Sequence, residues 1–288
     1  MFLVTGATGH LGTATIDFLL NTIPASQIAV LARDETKAAT LKAKGVEVKI
    51  GDYKNYESLV AAIKGVDKVL LISSADLDDR FKQHKNAIDA AKEVGVKHLV
   101  YTSTDIKDIT KSATGDIADV HNNTANYLKQ SGLAYTLLNN NLYADVIPMF
   151  IGEKVLETGV YFAGGDGKVP FATRSDMAEA AAHVLSTEGH ENKQYTISGD
   201  VAYSFEDIAK ILSEISGKEI TYTSPSNDDF KAALTAAGVP EFYVGMLADF
   251  AQAIKDTEFD TQKSDLERLI CRKPTPLKEY LRGVYSAQ

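Results

Sequence analysis

Along the first half of the chain, short apolar runs alternate regularly with amphipathic segments. Runs at Phe2–Thr5, Ile28–Ala32, Val46–Ile50, Lys68–Ser73, His98–Ser103 and Tyr135–Leu138 predict strands. Several are apolar without a break, as parallel strands covered on both faces are. Between them, Leu11–Asn21, Thr36–Lys44, Tyr56–Ile63, Asp79–Val94 and Ile117–Gln130 carry apolar residues at helical spacing. Gly45, Gly65, Gly95 and Gly132 stand where a helix closes on a left-handed residue. This rhythm predicts an α/β fold, a doubly wound parallel sheet with right-handed crossovers.

The second half is less regular. Asn139-Asn140-Asn141 is expected to break the sixth strand, and Ala163–Lys168 reads as a loop. Asp176, with Glu179 three residues on, predicts a capping box opening a helix over Met177–Leu185. Strands are expected at Tyr195–Ser198 and Ile220–Thr223, with helices at Phe205–Ser216, Asp228–Gly238, Glu241–Ile254 and Lys278–Arg282. With no internal repeat or low-complexity linker, the expected division is a nucleotide-binding domain over residues 1–138 and a smaller α+β lobe over residues 139–288. That lobe should pack partly back on the sheet, with a ligand cleft at the carboxyl ends of the strands.

The opening MFLVTGATGHLG places three glycines between the first strand and the first helix. Gly6 permits the tight turn, Gly9 lets the backbone approach a pyrophosphate and Gly12 allows close helix–strand packing, which makes the sheet Rossmann-type. Thr8, His10 and Leu11 complete the loop, and phosphates would sit on free N–H groups at the helix start. The second strand ends in Arg33, followed by Asp34 and, one turn on, Lys37. A guanidinium fork with a second cation suits a ribose 2′-phosphate, so NADPH is the expected coenzyme; Asp34 keeps NADH open. Asp52 and Tyr53 follow the third strand, toward the adenine. Ser73 and Ser74 follow the fourth, and Thr102 and Ser103 close the fifth near the nicotinamide.

Composition narrows the field. A net charge of −9 argues against general nucleic-acid binding. No apolar run reaches membrane-spanning length, and the first strand starts at Phe2, so a cytoplasmic protein without signal peptide is expected. Cys271 is the sole cysteine, which excludes an intrachain disulfide. The six histidines show no metal-ligand spacing, and there is no G-x-S-x-G elbow. With no metal and no flavin site evident, hydride is expected to pass directly from nicotinamide to acceptor.

No tyrosine of the thirteen has lysine four residues later, so the usual tyrosine–lysine acid of alcohol and carbonyl dehydrogenases is missing. Flat conjugated acceptors, which spread added charge over a wide π-system, remain. His121 is the candidate proton donor, with a merely packing or capping histidine as the alternative. Asn140 and Tyr143 are candidates to line the acceptor pocket.

TGATGHLG, PASQIAVLAR (residues 24–33), GVEVKIGDY (45–53), GVKHLVYTS (95–103), YTLLNNNLY (135–143), EGHENKQY (188–195), ILSEISGK (211–218) and TPLKEYL (275–281) together resemble the NmrA-like atypical short-chain dehydrogenases. The likeness is greatest to the branch holding NAD(P)H:quinone oxidoreductase type 2 and triphenylmethane reductase, and it spans nearly the whole chain. It implies NADPH along the glycine loop and reduction of quinone-like or dye acceptors without flavin; an azo- or nitro-reductase is a further reading of the same chemistry that the sequence does not separate. A redox sensor that binds NADP(H) without turnover is the alternative that NmrA-like relatives supply, and a homodimer stays open. The chain departs from the branch at Asn139, where Arg is usual, and at Ala125, where a glutamate is usual.

Overall fold

The strands are β1 (Phe2–Val4), β2 (Ile28–Ala32), β3 (Glu47–Ile50), β4 (Lys68–Leu71), β5 (His98–Thr104), β6 (Ala134–Asn140), β7 (Val160–Tyr161), β8 (Lys193–Ile197) and β9 (Tyr222–Thr223). The helices of the first half are α1 (His10–Leu20), α2 (Ala39–Ala43), α3 (Tyr56–Ile63), α4 (Arg80–Glu93) and α5 (Asp116–Gln130). Those of the second half are α6 (Ile147–Ile151), α7 (Val155–Thr158), α8 (Arg174–Ser186), α9 (Phe205–Ser216), α10 (Asn227–Ala236), α11 (Glu241–Lys255), α12 (Leu266–Ile270) and α13 (Leu277–Tyr285). The computed structural model describes residues 1–261 and 263–286. Seven strands, all parallel, form one sheet in the order β3-β2-β1-β4-β5-β6-β8.

Side-chain alternation explains why both faces are covered. Along β1, β4 and β5, Val4, Leu70 and Val100 join a core with Leu11, Ile16 and Leu19 of α1 and Met177 and Leu185 of α8. Their neighbours Leu3, Val69, Leu71, Leu99 and Tyr101 face a second core with Leu59, Ile88 and Leu128 of α3, α4 and α5. The expected doubly wound Rossmann-type sheet is therefore present. Gly45, Gly65, Gly95 and Gly132 all take positive φ, as helix-closing residues should.

The second half returns to the sheet through α8 and β8, then builds a third core rich in phenylalanine. There Phe162 and Phe205 lie with ring centroids 4.1 Å apart, Phe150 stacks on Phe162, and Phe230 meets it edge-on. Each such fully buried ring contributes about 2–3 kcal/mol.

Four expectations are corrected. The triple asparagine does not break β6, because Asn139 and Asn140 pair on one side with Ser103 and Thr104 and on the other with Thr196 and Ile197. The helix expected from Thr36 starts at Ala39, since Asp34 Oδ1 accepts from the Thr36 hydroxyl and, at 3.0 Å, from the Lys37 N–H, closing a turn first. The strand expected from Ile220 is Tyr222–Thr223 alone, paired with β7. Asp176 does not cap α8. Thr173 does, accepting the Asp176 N–H at 3.1 Å. The buried Asp176 carboxylate instead accepts from the Thr275 N–H at 2.7 Å, the Thr275 hydroxyl at 3.0 Å and Arg272 Nη2 at 2.7 Å, tying α8 to the segment that leads into α13. Among the described residues, no helix is long and apolar enough to cross a membrane.

Candidate active site

The sheet order reverses direction between β1 and β4, and the crevice at such a switch point is where a dinucleotide fits. The glycine loop lies there. Gly6 takes φ +59° with Ile72 packed 3.1 Å from where its Cβ would be. Gly9 N donates to the Gly6 carbonyl at 3.0 Å and caps α1 in extended conformation, without any side-chain cap. A Cβ on Gly12 would stand 2.4 Å from that same carbonyl oxygen. The first turn of α1 thus presents uncapped N–H groups and no acidic side chain, the arrangement an anion needs. Thr8 and His10 are exposed beside it, whereas Leu11 is buried in the core and offers only its backbone.

At the end of β2 two adjacent residues are used differently. Asp34 is engaged by Thr36 and the Lys37 N–H, and these bonds hold its pKa below the usual value. Arg33 is exposed and, among the described residues, holds no hydrogen bond or ion pair, and the Lys37 side chain is likewise without one. Arg33 and Lys37 thus leave two cationic side chains without an ion pair just beyond β2, among the described residues.

Asp52 and Tyr53 serve mainly structure. Asp52 Oδ1 accepts from the Lys54 N–H at 2.9 Å. The Tyr53 hydroxyl binds Thr5 Oγ1 and, at 3.0 Å, the Ile72 carbonyl, while Ile72 N donates to Thr5 Oγ1 at 3.0 Å. This network pins the ends of β1 and β4 together under the glycine loop.

The serine pair divides. Ser74 is a structural hub: its hydroxyl donates to Gln83 Oε1 at 2.9 Å and accepts the Asp76 N–H at 3.1 Å. Ser73 N donates to Thr102 Oγ1 at 2.9 Å, and the buried Ser73 hydroxyl has the Tyr101 phenol as its polar neighbour. Ser103, one residue before the end of β5, has no hydrogen bond to its hydroxyl among the described residues. Asn140, 7% exposed, likewise has Oδ1 buried and unpartnered, with Nδ2 3.5 Å from the Tyr143 hydroxyl. The Arg174 guanidinium lies 4.9 Å from the Tyr143 ring. Buried polar atoms are rarely left unpaired, which makes Asn140 Oδ1 a candidate contact for a ligand group.

Beside them lies a histidine pair sequence reasoning only half found. Nε2 of the fully buried His84 accepts the Ser74 N–H at 2.9 Å, leaving Nδ1–H to donate to Thr124 Oγ1 at 2.9 Å. His121, half-buried on α5, has Nδ1 3.0 Å from the Tyr101 hydroxyl. Burial pushes that phenol up to about 12, so it stays protonated; we assign it as the donor, which leaves the His121 ring proton on Nε2. Burial first, then the nearby Arg80 charge, pulls His84 and His121 down to about 3. Both are neutral at physiological pH. Ala125, one turn beyond His121, is buried, and none of the groups shifting His121 is a carboxylate.

Sequence reasoning missed Arg80. This half-buried first residue of α4 donates from Nε to the Ser74 carbonyl, and its charge acts on Tyr101, Tyr143, His84 and His121. A further cavity of about 300 Å³, lined by Ser198, Asp200, Thr261 and Glu267 among others, opens beyond β8 at the sheet's other end. Its acidic lining does not suit a dinucleotide phosphate.

The fold is shared with known proteins. Quinone oxidoreductase 2 of Escherichia coli K12 is 42% identical over 288 residues, covering 99% of each chain. The crystal structure of the E. coli NADPH-dependent quinone oxidoreductase complexed with NADPH superposes with a TM-score of 0.94 at 39% identity, over 99% of this chain and 100% of that one. The Citrobacter sp. triphenylmethane reductase complexed with NADP(H) gives 0.91 at 38% identity, over 98% and 99%. The description of the NmrA-like family matches residues 1–281, so the entire sheet, the phenylalanine-rich core and most of α13 are accounted for, and the chain belongs to the NmrA-like family.

Proposed function

We propose that this chain is an NADPH-dependent reductase that passes hydride directly to quinone-like or conjugated dye acceptors, without flavin. The observation that carries the reading is the pairing of an uncapped α1 N-terminus with an unpaired Arg33 at the end of β2. The residues present fit the coenzyme: the glycine loop for the diphosphate, Arg33 and Lys37 for the 2′-phosphate, and Ser73, Ser103 and Asn140 for the nicotinamide end. Bound there, the coenzyme would supply a hydride. The chain's own part is mostly placement, since holding two reactants in register can supply many orders of magnitude in rate. His121, neutral with its Nε2–H outward, donates a hydrogen bond to an acceptor oxygen instead of acting as a charged acid. The final proton then comes from water.

Support also comes from the relatives named as quinone, azo and triphenylmethane reductases. An exposed single thiol, Cys271, suits a reducing cytoplasm. The test is NADPH oxidation with 1,4-benzoquinone, corrected for the enzyme-free rate. Acceptor-dependent turnover supports the reductase. Tight NADPH binding without turnover would favour the sensor instead.

A further inference from the structure

The geometry points to Arg80 as the anchor for negative charge on the acceptor, making the site selective for acceptors that are, or become, anions over cationic dyes. The identity of the acceptor rests on the reductase reading above; the anion site itself does not.

Two arginines of the chain, Arg80 and Arg174, are half-buried. Arg174 is paired, with Asp145 at 3.3 Å. Arg80 has no acidic partner among the described residues, and its only hydrogen bond to them runs from Nε to the Ser74 carbonyl, so both terminal nitrogens are uncommitted. Three aspartates precede it in sequence, yet all turn elsewhere. Asp76 and Asp78 pair with Lys54 at 2.8 and 3.2 Å, and Asp79 lies 3.7 Å from Lys82. The groups that feel the Arg80 charge are two tyrosines and two neutral histidines. A partly desolvated cation without a counter-ion is costly, and such sites are normally completed by an anion.

The surroundings say which anion. Arg80 is tied to the carbonyl of Ser74, and its charge reaches Tyr101, Tyr143 and His121, beside the orphaned Oδ1 of Asn140. It therefore belongs to the acceptor end of the crevice, not to the diphosphate end at Gly6–Gly12. When a neutral quinone accepts a hydride, both electrons and the hydrogen go to the quinone, the coenzyme is oxidised, and the product is a hydroquinone monoanion. A proton from water completes the hydroquinone. A guanidinium fork fixed beside the oxygen that gains this charge binds the product state more strongly than the neutral substrate. A triphenylmethane cation loses its charge in the same reaction and is repelled before it.

The test uses protein saturated with NADP⁺, which cannot donate hydride, and, in parallel, free protein. Binding of three probes is read by calorimetry: the anion of 2-hydroxy-1,4-naphthoquinone, neutral 2-methyl-1,4-naphthoquinone and the cation crystal violet. The variants are R80Q and the charge-keeping R80K. Loss of one charge-assisted contact predicts about 10- to 100-fold weaker binding of the anion to R80Q, with R80K retaining most of it. The neutral quinone should change little, and crystal violet should bind R80Q more tightly than wild type. The opposite response of anion and cation separates a charge effect from a loosened Ser74 loop, which would weaken all three. Equal anion binding by wild type, R80Q and R80K, or a parallel loss of all three probes, overturns the assignment. Failure to bind NADP⁺ while the anion still depends on Arg80 would sink the reductase and leave the anion site standing.

Discussion

Gly12 sits so close under the turn that a Cβ there would stand 2.4 Å from the Gly6 carbonyl oxygen and 2.7 Å from Ala7 Cα. Gly9 is different, with only a 3.3 Å approach to the same oxygen at an ordinary φ of −84°. The two glycines should therefore separate in mutation. Gly12→Ala forces backbone to move and is expected to lower both stability and NADPH affinity. Gly9→Ala should leave the urea midpoint nearly unchanged yet weaken NADPH about 10-fold or more, because the methyl occupies the approach path of the phosphates. Parallel effects of the two substitutions would refute this division of labour.

Arg33 and Asp34 give a second prediction. Removing the unpaired guanidinium in R33A should cost about 1.5–3 kcal/mol of NADPH binding, or about 10- to 100-fold in Kd, while NADH binding hardly changes. Titrating both coenzymes against wild type and R33A checks this. Similar losses for the two would mean that Arg33 does not read the 2′-phosphate.

How legible this was differs between the two ends of the crevice. The proposed phosphate end is local: Gly6, Gly9 and Gly12 lie in one strand–turn–helix and Arg33 just beyond the next strand, so their spacing is legible in the sequence. The proposed acceptor end draws on β4, α4, β5, α5 and β6, and there sequence context misled. Arg80 sits in ADLDDRFK, which reads as a solvated charged helix start with its own counter-ions; only the fold shows those aspartates paired with Lys54 and Lys82. Asn139 and Asn140 read as a strand break because asparagine disfavours strands, but pairing with β5 and β8 on both sides overrides that preference.

The buried histidines predict an acid-sensitive fold. In the native state His84 and His121 titrate near pH 3, whereas unfolded histidine titrates near 6.5. As pH drops below 6.5 the unfolded chain takes up protons that the native state refuses, so the stability they contribute is present above 6.5 and lost on acidification. Each removes about 1.4 kcal/mol per pH unit once well below 6.5. Urea midpoints between about pH 7.5 and 5, where most carboxylates remain ionised, should fall steadily, and H121Q should flatten the slope. A midpoint constant over that range would contradict the neutral assignment.

Asp176 predicts a stability effect without a functional one. Asp176→Ala strips the Thr275 N–H and hydroxyl of their shared acceptor and removes one of the two carboxylates on Arg272. A loss of about 2–4 kcal/mol in urea unfolding is expected, with the NADPH Kd unchanged within about 2-fold. A shift below about 0.5 kcal/mol would mean that water replaces the carboxylate.

The most direct check on the whole account is the decay of the NADPH absorbance band after 1,4-benzoquinone is added to the purified protein, with the enzyme-free rate subtracted. Oxidation is expected to scale with protein concentration, to proceed without added flavin and to be far slower with R33A at subsaturating NADPH. Saturable NADPH binding with no benzoquinone-dependent decay, or decay only when flavin is supplied, would contradict it.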